Sequence, residues 1–318
     1  MPSRRDAEAE ASPVFRHEAV FYGGTADFVA QLTPFLREGV RMDEPTLVVV
    51  DDRKIGLLRD ALGADAAGVE FADMAHVGRN PARIIPAWTT FLDDHVDVPR
   101  PLRGVGEPIW PGRSPEGLVE SELHEALLNV AFDGGRAWTL LCPYDTKTLG
   151  ASVLEEAERN HPYLSEQAGG RPSTRYRSGG SIDVLSERPL PEWNGAAREM
   201  AFDAGDLEAM RRFVGADSDG FQADRLADLI LAVNEVATNS VLYGGGGLLR
   251  IWRSGDSLVC EISDRGRIPD PLVGRRRPGM DQVSGYGLWI ANHACDLVQV
   301  RTSPSGTVVR LHVSGGRR

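Results

Sequence analysis

No stretch of this chain approaches the roughly 18 consecutive apolar residues that a membrane helix needs. The first thirteen residues, MPSRRDAEAEASP, lack the apolar segment of a signal peptide or anchor, and they read as a disordered tail. The expectation is a cytoplasmic protein without a membrane partner. Positive charge is also scarce. Lysines and arginines number 35 against 46 acids, a net charge of −11, which argues against general attraction to nucleic acid or anionic lipid. Only three cysteines occur, Cys142, Cys260 and Cys295. They lie far apart in apolar segments with no metal-ligand spacing, so they are expected as reduced core thiols. Absent too is G-x-x-x-x-G-K-[ST], which excludes a standard phosphate-cradling P-loop. What remains is ordinary for a globular protein: 318 residues, 42 % hydrophobic and 25 % charged, enough for two domains that each bury a core.

From His17 onward, strand-like and helix-like runs alternate. Strands are expected at Ala19–Tyr22, Thr46–Val50, Gly68–Ala72, Leu102–Val105 and Thr139–Cys142. Helices are expected at Thr25–Gly39, Arg53–Leu62, Pro81–His95, Pro115–Phe132 and Lys147–Asn160. The apolar run Leu47-Val-Val-Val suggests a strand buried on both faces, as in a parallel sheet. The alternation therefore predicts a doubly wound α/β domain over residues 14–165. The Gly, Arg and Ser-rich stretch from Ala168 to Gly180 marks a linker, set at 166–189. Residues 190–318 read as an α+β sandwich of antiparallel strands and helices. Its strands are expected at Leu248–Arg253, Leu258–Ser263, Leu297–Thr302 and Thr307–Val313, the last two joined by the turn Ser303-Pro-Ser-Gly306.

The most informative segment is Leu226 to Gly247, LADLILAVNEVATNSVLYGGGG. At about 100° per residue, Leu226, Leu229, Ile230, Val233, Ala237 and Val241 form one apolar stripe. Glu235 lies opposite it, and Asn239, four residues on, stacks beside Glu235. Carboxylate and amide oxygens are the hard ligands that suit magnesium. By itself such a pair usually marks a solvated face. Further on, a strand-like run ends in Asp264-Arg265-Gly266, where a carboxylate can accept from an exocyclic amine. A basic, proline-containing loop then leads to Gly285-Tyr-Gly287-Leu288, where backbone N–H groups at a helix start can approach a polyphosphate.

These three boxes, in this order, resemble the Bergerat-type ATP-binding domain of the gyrase, heat-shock-90 and histidine-kinase ATPases, and within it the anti-sigma-factor serine kinases. The resemblance implies ATP and Mg2+ as cofactors. Asn239 would hold the magnesium and Glu235 would be the catalytic base. Asp264 would bind the adenine amine with Gly266 supporting it, and Gly285 and Gly287, with Leu288 beside them, would line the phosphates. Ile268 stands where the family's D-x-G-x-G motif has its second glycine, which bears on the lid more than on nucleotide binding. The implied partner is a sigma factor or an anti-anti-sigma protein, and the implied assembly a homodimer.

In the N-terminal half, polar residues gather in Arg103-Gly-Val-Gly-Glu107-Pro-Ile-Trp110 and in Glu120-Ser-Glu122-Leu-His124-Glu125. Ligands bind at the C-terminal ends of strands in open α/β sheets, which favours Glu107, Trp110 and Asp145. The competing reading makes His124 an ordinary helix residue and Trp110 part of the core. The runs His17-Glu-Ala-Val-Phe-Tyr22, Pro34–Gly39, Gly-Glu-Pro-Ile-Trp110 and Cys142-Pro-Tyr-Asp145 resemble the MEDS sensory domain, likened to a RecA/KaiC-type fold without its P-loop. That likeness implies a small-molecule ligand, with His17, Glu107, Trp110, His124 and Asp145 as site residues.

The whole reads as a signalling regulator in which a sensory domain controls an ATP-dependent protein serine kinase domain. One alternative is an ATP-dependent module that binds its partner without phosphorylating it. Another is a sensor histidine kinase, because His124-Glu125-Ala-Leu-Leu-Asn129 imitates a phospho-acceptor box. The topology opposes that last reading, since Asp133-Gly-Gly135 ends the helix early and no second long helix completes a four-helix bundle.

Overall fold

A computed structural model describes residues 15–165, 170–217, 219–279 and 285–315. The tail expected over 1–13 lies outside the described residues, as do 166–169 of the expected linker and 280–284 of the loop before Gly285. The chain forms two compact units. One holds residues up to 76, 89–113 and 125–179, and the other holds 77–88, 114–124 and 180 onward.

In chain order the earlier elements are β1 (Phe15–Tyr22), α1 (Thr25–Arg41), β2 (Thr46–Val50), α2 (Asp52–Leu62), β3 (Glu70–Asp73), α3 (Met74–Val77) and α4 (Ile84–Asp94). They continue with β4 (Leu102–Gly106), α5 (Pro115–Ala131), β5 (Trp138–Asp145), α6 (Ala151–Asn160), β6 (Tyr163–Leu164) and β7 (Arg171–Pro172). The seven strands form one mixed sheet in the order β3-β2-β4-β5-β1-β6-β7. Every pairing is parallel except β6 with β7. Val48, Val49 and Val50 are buried in β2, an interior strand between β3 and β4, while Leu47 is half-buried. At the start of α2, the Asp51 carboxylate accepts from Lys54 N–H, satisfying one of the helix's orphan donors. Five strands and most helices fall where the hydrophobic period places them. The expected helix at Pro81 begins instead as a short 3₁₀ turn, Pro81–Arg83, with Asn80 capping it.

The second unit adds α7 (Gly180–Glu187), β8 (Arg198–Phe202), α8 (Leu207–Gly215), α9 (Ala223–Gly244), β9 (Gly247–Ser254), β10 (Ser257–Asp264), α10 (Tyr286–Ala294), β11 (Leu297–Ser303) and β12 (Gly306–Ser314). Its five strands form an antiparallel sheet, β11-β12-β10-β9-β8. The core lies between α9 and this sheet. Leu229, Val233 and Ala237 of the expected stripe are fully buried, with Ala232, Val236 and Ser240 beside them. Leu226, Ile230 and Val241 pack at its margin. Opposite them the sheet presents Leu249, Ile251, Leu258, Cys260, Ile262 and Leu311.

The glycines after α9 have a geometric reason. Gly245 caps the helix in the left-handed region at φ 75°, and the Gly246 N–H donates to Ser240 O at 3.1 Å. Gly246 has φ 113°, and a Cβ there would lie 2.4 Å from Phe202 O. Gly246→Ala is therefore expected to destabilise the protein by about 1–3 kcal/mol, read from denaturant unfolding. No helix among the described residues is long and apolar enough to cross a membrane.

Candidate functional site

The end of α9, the end of β10 and the start of α10 converge. Glu235 and Asn239 are half-buried on α9, next to the fully buried Val236 and Ser240. A helix whose core face is Val233, Val236, Ala237 and Ser240 holds its intervening residues to the core's margin, and this fixes where the amide of Asn239 points. Gly285 is the N-cap of α10 at φ 104°, and Gly287 is buried in its first turn. A Cβ on Gly287 would lie 2.7 Å from Asn239 Nδ2, so the two helices meet closely at that amide and a side chain there would displace it.

Asp264 ends β10 and is held from two sides. Its Oδ2 accepts from Ser240 Oγ at 2.6 Å, and its Oδ1 accepts from Gly266 N–H at 2.6 Å. Gly244 and Gly266 both lie against it, since a Cβ on either would come within 3.0 Å of its side chain. Thr307 Oγ1 donates to Gly266 O at 2.8 Å. With that proton committed, the Thr302 hydroxyl donates to Thr307 Oγ1 at 3.1 Å, and Thr302 Oγ1 accepts from Ile268 N–H. Ser240, Thr302 and Thr307 were not picked out from the sequence. Ser240 sits next to Asn239, and its hydroxyl on the core face was the available signal.

Val236, Asn239, Asp264, Ile268, Leu288 and Thr307 line a cleft of about 60 Å3. Ligand pockets hold roughly 300–1,000 Å3. The exposed Tyr243 and Arg267 also line the cleft.

In the first unit, the expected sensory residues divide into separate groups. Glu107, at the end of β4, is buried with Tyr22 and Lys54. Lys54 Nζ donates to Glu107 Oε1 and Oε2 at 2.7 and 2.6 Å and to Tyr22 Oη at 2.9 Å. Tyr22 Oη donates to Glu107 Oε1 at 2.6 Å. Burial raises the Glu107 carboxyl above its ordinary pKa against the opposing pull of Lys54. Burial, then the charge of Glu107 and those of Asp145 and Asp51, pushes the Tyr22 phenol up. Asp145, at the end of β5, thus belongs to this neighbourhood, and its Oδ1 accepts from Lys147 N–H. Trp110 is half-buried under the Arg113 guanidinium, 3.9 Å from ring centroid to Cζ. His124 is buried in α5 and falls in the second unit, not the first.

His17 stands in another group. It is fully buried on β1 with Glu125 of α5, Cys142 of β5 and His161, which follows α6. Burial, then the neighbouring His161, holds its imidazole down at about 4, so it is neutral. Glu125 and Asn129 were read as an imitation of a phospho-acceptor box, yet both face inward to His17, at 3.0 and 3.1 Å.

The second unit, with an acidic strand end and a glycine-led helix gathered around a helix-borne Asn and Glu, has the build of a nucleotide-binding domain. Family comparison states which. Residues 200–313 match the family described as histidine kinase-like ATPase domain, which implies ATP binding. Residues 16–162 match MEDS, the MEthanogen/methylotroph, DcmR Sensory domain. The chain thus joins a MEDS domain to a histidine kinase-like ATPase domain. No curated protein matches it. Among solved structures, the chain is similar to "The crystal structure of the RsbU and RsbW domains of Rv1364c from Mycobacterium tuberculosis". Identity is 18 % and the TM-score 0.30, over 39 % of this chain and 34 % of that one. The chain thus spans about a third of that protein's length.

Proposed function

We propose that this protein is a cytoplasmic signalling regulator in which a small-molecule-sensing MEDS domain, residues 14–165, controls an ATP-dependent protein serine kinase domain of the anti-sigma type, residues 190–318. The ATP domain is read as a Bergerat-type sandwich and the sensory domain as a RecA/KaiC-like fold without its P-loop. The observation that carries the reading is the closure of Gly287 on the Asn239 amide, beside a doubly held Asp264.

In this reading Asn239 holds magnesium and Asp264 accepts from the adenine amine, supported by Gly266. Gly285 and Gly287 bring backbone N–H groups to the phosphates, where the α10 dipole favours negative charge, with Leu288 packed beside them. Magnesium, when bound, neutralises charge on the phosphate oxygens. Glu235 takes the proton from an incoming serine hydroxyl. The serine belongs to an anti-anti-sigma protein, or a sigma factor is held directly, and the working form is a homodimer. His17, Glu107, Trp110, His124 and Asp145 remain the residues proposed for the sensed ligand, with Glu107 and Asp145 favoured because both sit at strand C-terminal ends near Tyr22. Phospho-transfer to His124 is disfavoured, because that side chain is only 1 % exposed.

Incubation of the full chain with γ-labelled ATP and an anti-anti-sigma protein tests the proposal. Label on a serine of that partner is expected, and Glu235→Gln should stop transfer while leaving ATP affinity unchanged. ATP-dependent binding without transfer would make the domain a sequestering module instead. Label on His124 would overturn both readings.

A further inference from the structure

We infer that His17, Glu125, Cys142 and His161 form a buried tetrahedral site for a divalent zinc-type cation. The inference is independent of the ATP site, and it assigns His17, one of the residues proposed for the sensed ligand, to the metal instead. One ligand atom from each residue lies within 4.8 Å of every other. His17 Nε2 is 3.0 Å from Glu125 Oε2 and 3.3 Å from Cys142 Sγ, and His161 Nε2 is 3.2 Å from the same Glu125 oxygen. Zinc at its usual 2.0–2.3 Å from N, O and S ligands separates them by about 3.3–3.7 Å, so the three close contacts need open only slightly and any wider pair must close toward that range.

The outward nitrogens show which atoms are free to ligate. His161 Nδ1 lies 2.7 Å from Ala157 O, a carbonyl that can only accept, so this nitrogen carries the hydrogen. Asn129 Nδ2 donates to Asn160 O at 2.8 Å, which turns Asn129 Oδ1 toward His17 Nδ1 and places the hydrogen there too. With the hydrogen on Nδ1, each imidazole turns its Nε2, the atom whose lone pair would bind a metal, toward the Glu125 carboxylate and the Cys142 sulfur. Lone pairs facing a carboxylate repel unless something electropositive sits among them. His161 Nε2, although close to Glu125, lacks hydrogen-bond geometry, and Glu125 Oε1 has no hydrogen-bond partner among the described residues. Backbone and amide oxygens on the far ring nitrogens are what orient metal-ligating histidines.

Charge selects the cation. A carboxylate, a thiolate and two neutral imidazoles carry −2, which a divalent ion cancels in a site with no exposure to solvent. A thiolate with two imidazoles favours zinc over magnesium or calcium. On binding, the Cys142 S–H bond breaks, the sulfur pair forms the bond to the metal, and the proton leaves to solvent. With four protein ligands and no open position, the ion ties β1, α5, β5 and the end of α6 together and performs no chemistry of its own.

The full-length chain, purified without chelator, is expected to hold one zinc per chain, read by plasma mass spectrometry. Cys142→Ala, a small change in a buried place, and His161→Ala should each lose it. Cobalt exchanged into the wild type should give thiolate-to-cobalt charge-transfer absorption that Cys142→Ala lacks even if that variant still binds cobalt. Adding zinc to metal-stripped chain should raise its melting midpoint. Absence of zinc, with no cobalt uptake and no thermal response, would overturn the inference in favour of a proton shared among the four groups. Zinc retained unchanged by both variants would place the metal elsewhere and overturn it equally.

Discussion

Asn239→Ala is expected to lower affinity for magnesium–ATP by at least about 100-fold in titration calorimetry, with the melting midpoint of the nucleotide-free protein nearly unchanged. Loss of a group that merely orients a metal ligand costs 10–100-fold, and loss of the ligand itself costs more. The fold should tolerate the change because Asn239 is half-buried at the margin of the α9 core rather than within it. The space it leaves opens toward Gly287, which has no side chain to collapse into it. Unchanged affinity would mean that the site has been placed on the wrong residue.

Lys54→Met is expected to destabilise the protein by about 3–5 kcal/mol in chemical unfolding, since it leaves Glu107 buried beside Tyr22 without its cation. The loss should depend on pH in a defined direction. Burial raises the Glu107 carboxyl above 4.5, so over that range the folded state holds the proton longer than the unfolded chain does. Stability from this group is therefore lost as pH rises, and Lys54 counteracts that loss by favouring the ionised form. Without Lys54 the deficit grows with pH, so the variant should stand closer to wild type at about pH 5 than at about pH 8. An equal loss at both values would show that the pair does not govern the region.

What could be read in advance depended on whether a signal was local. The α9 stripe, the Glu235–Asn239 spacing, Asp264 at a strand end and Gly285–Gly287 at a helix start each occupy a few consecutive residues, so periodicity and turn chemistry exposed them. β8 was missed because Arg198–Phe202 is an edge strand whose residues are mostly exposed and carry no apolar alternation. β6 and β7, of two residues each, are too short for any period to show. The stretch expected as linker carries α7, whose Ile182 and Leu185 are buried, a pattern too brief to stand out beside Gly and Arg. The His17 cluster was illegible for a different reason. Its members come from β1, α5, β5 and the residue after α6, so no spacing records them, and Cys142 looked like any apolar core cysteine.

The doubly held carboxylate of Asp264 is already ordered in the folded chain. With Ser240 and Gly266 each fixing one oxygen, and Thr307 and Thr302 bracing Gly266 and Ile268, the side chain has already surrendered its rotational freedom to folding. A donor arriving at that carboxylate meets an acceptor whose ordering entropy was spent beforehand, so less of the contact's energy is lost to immobilising it.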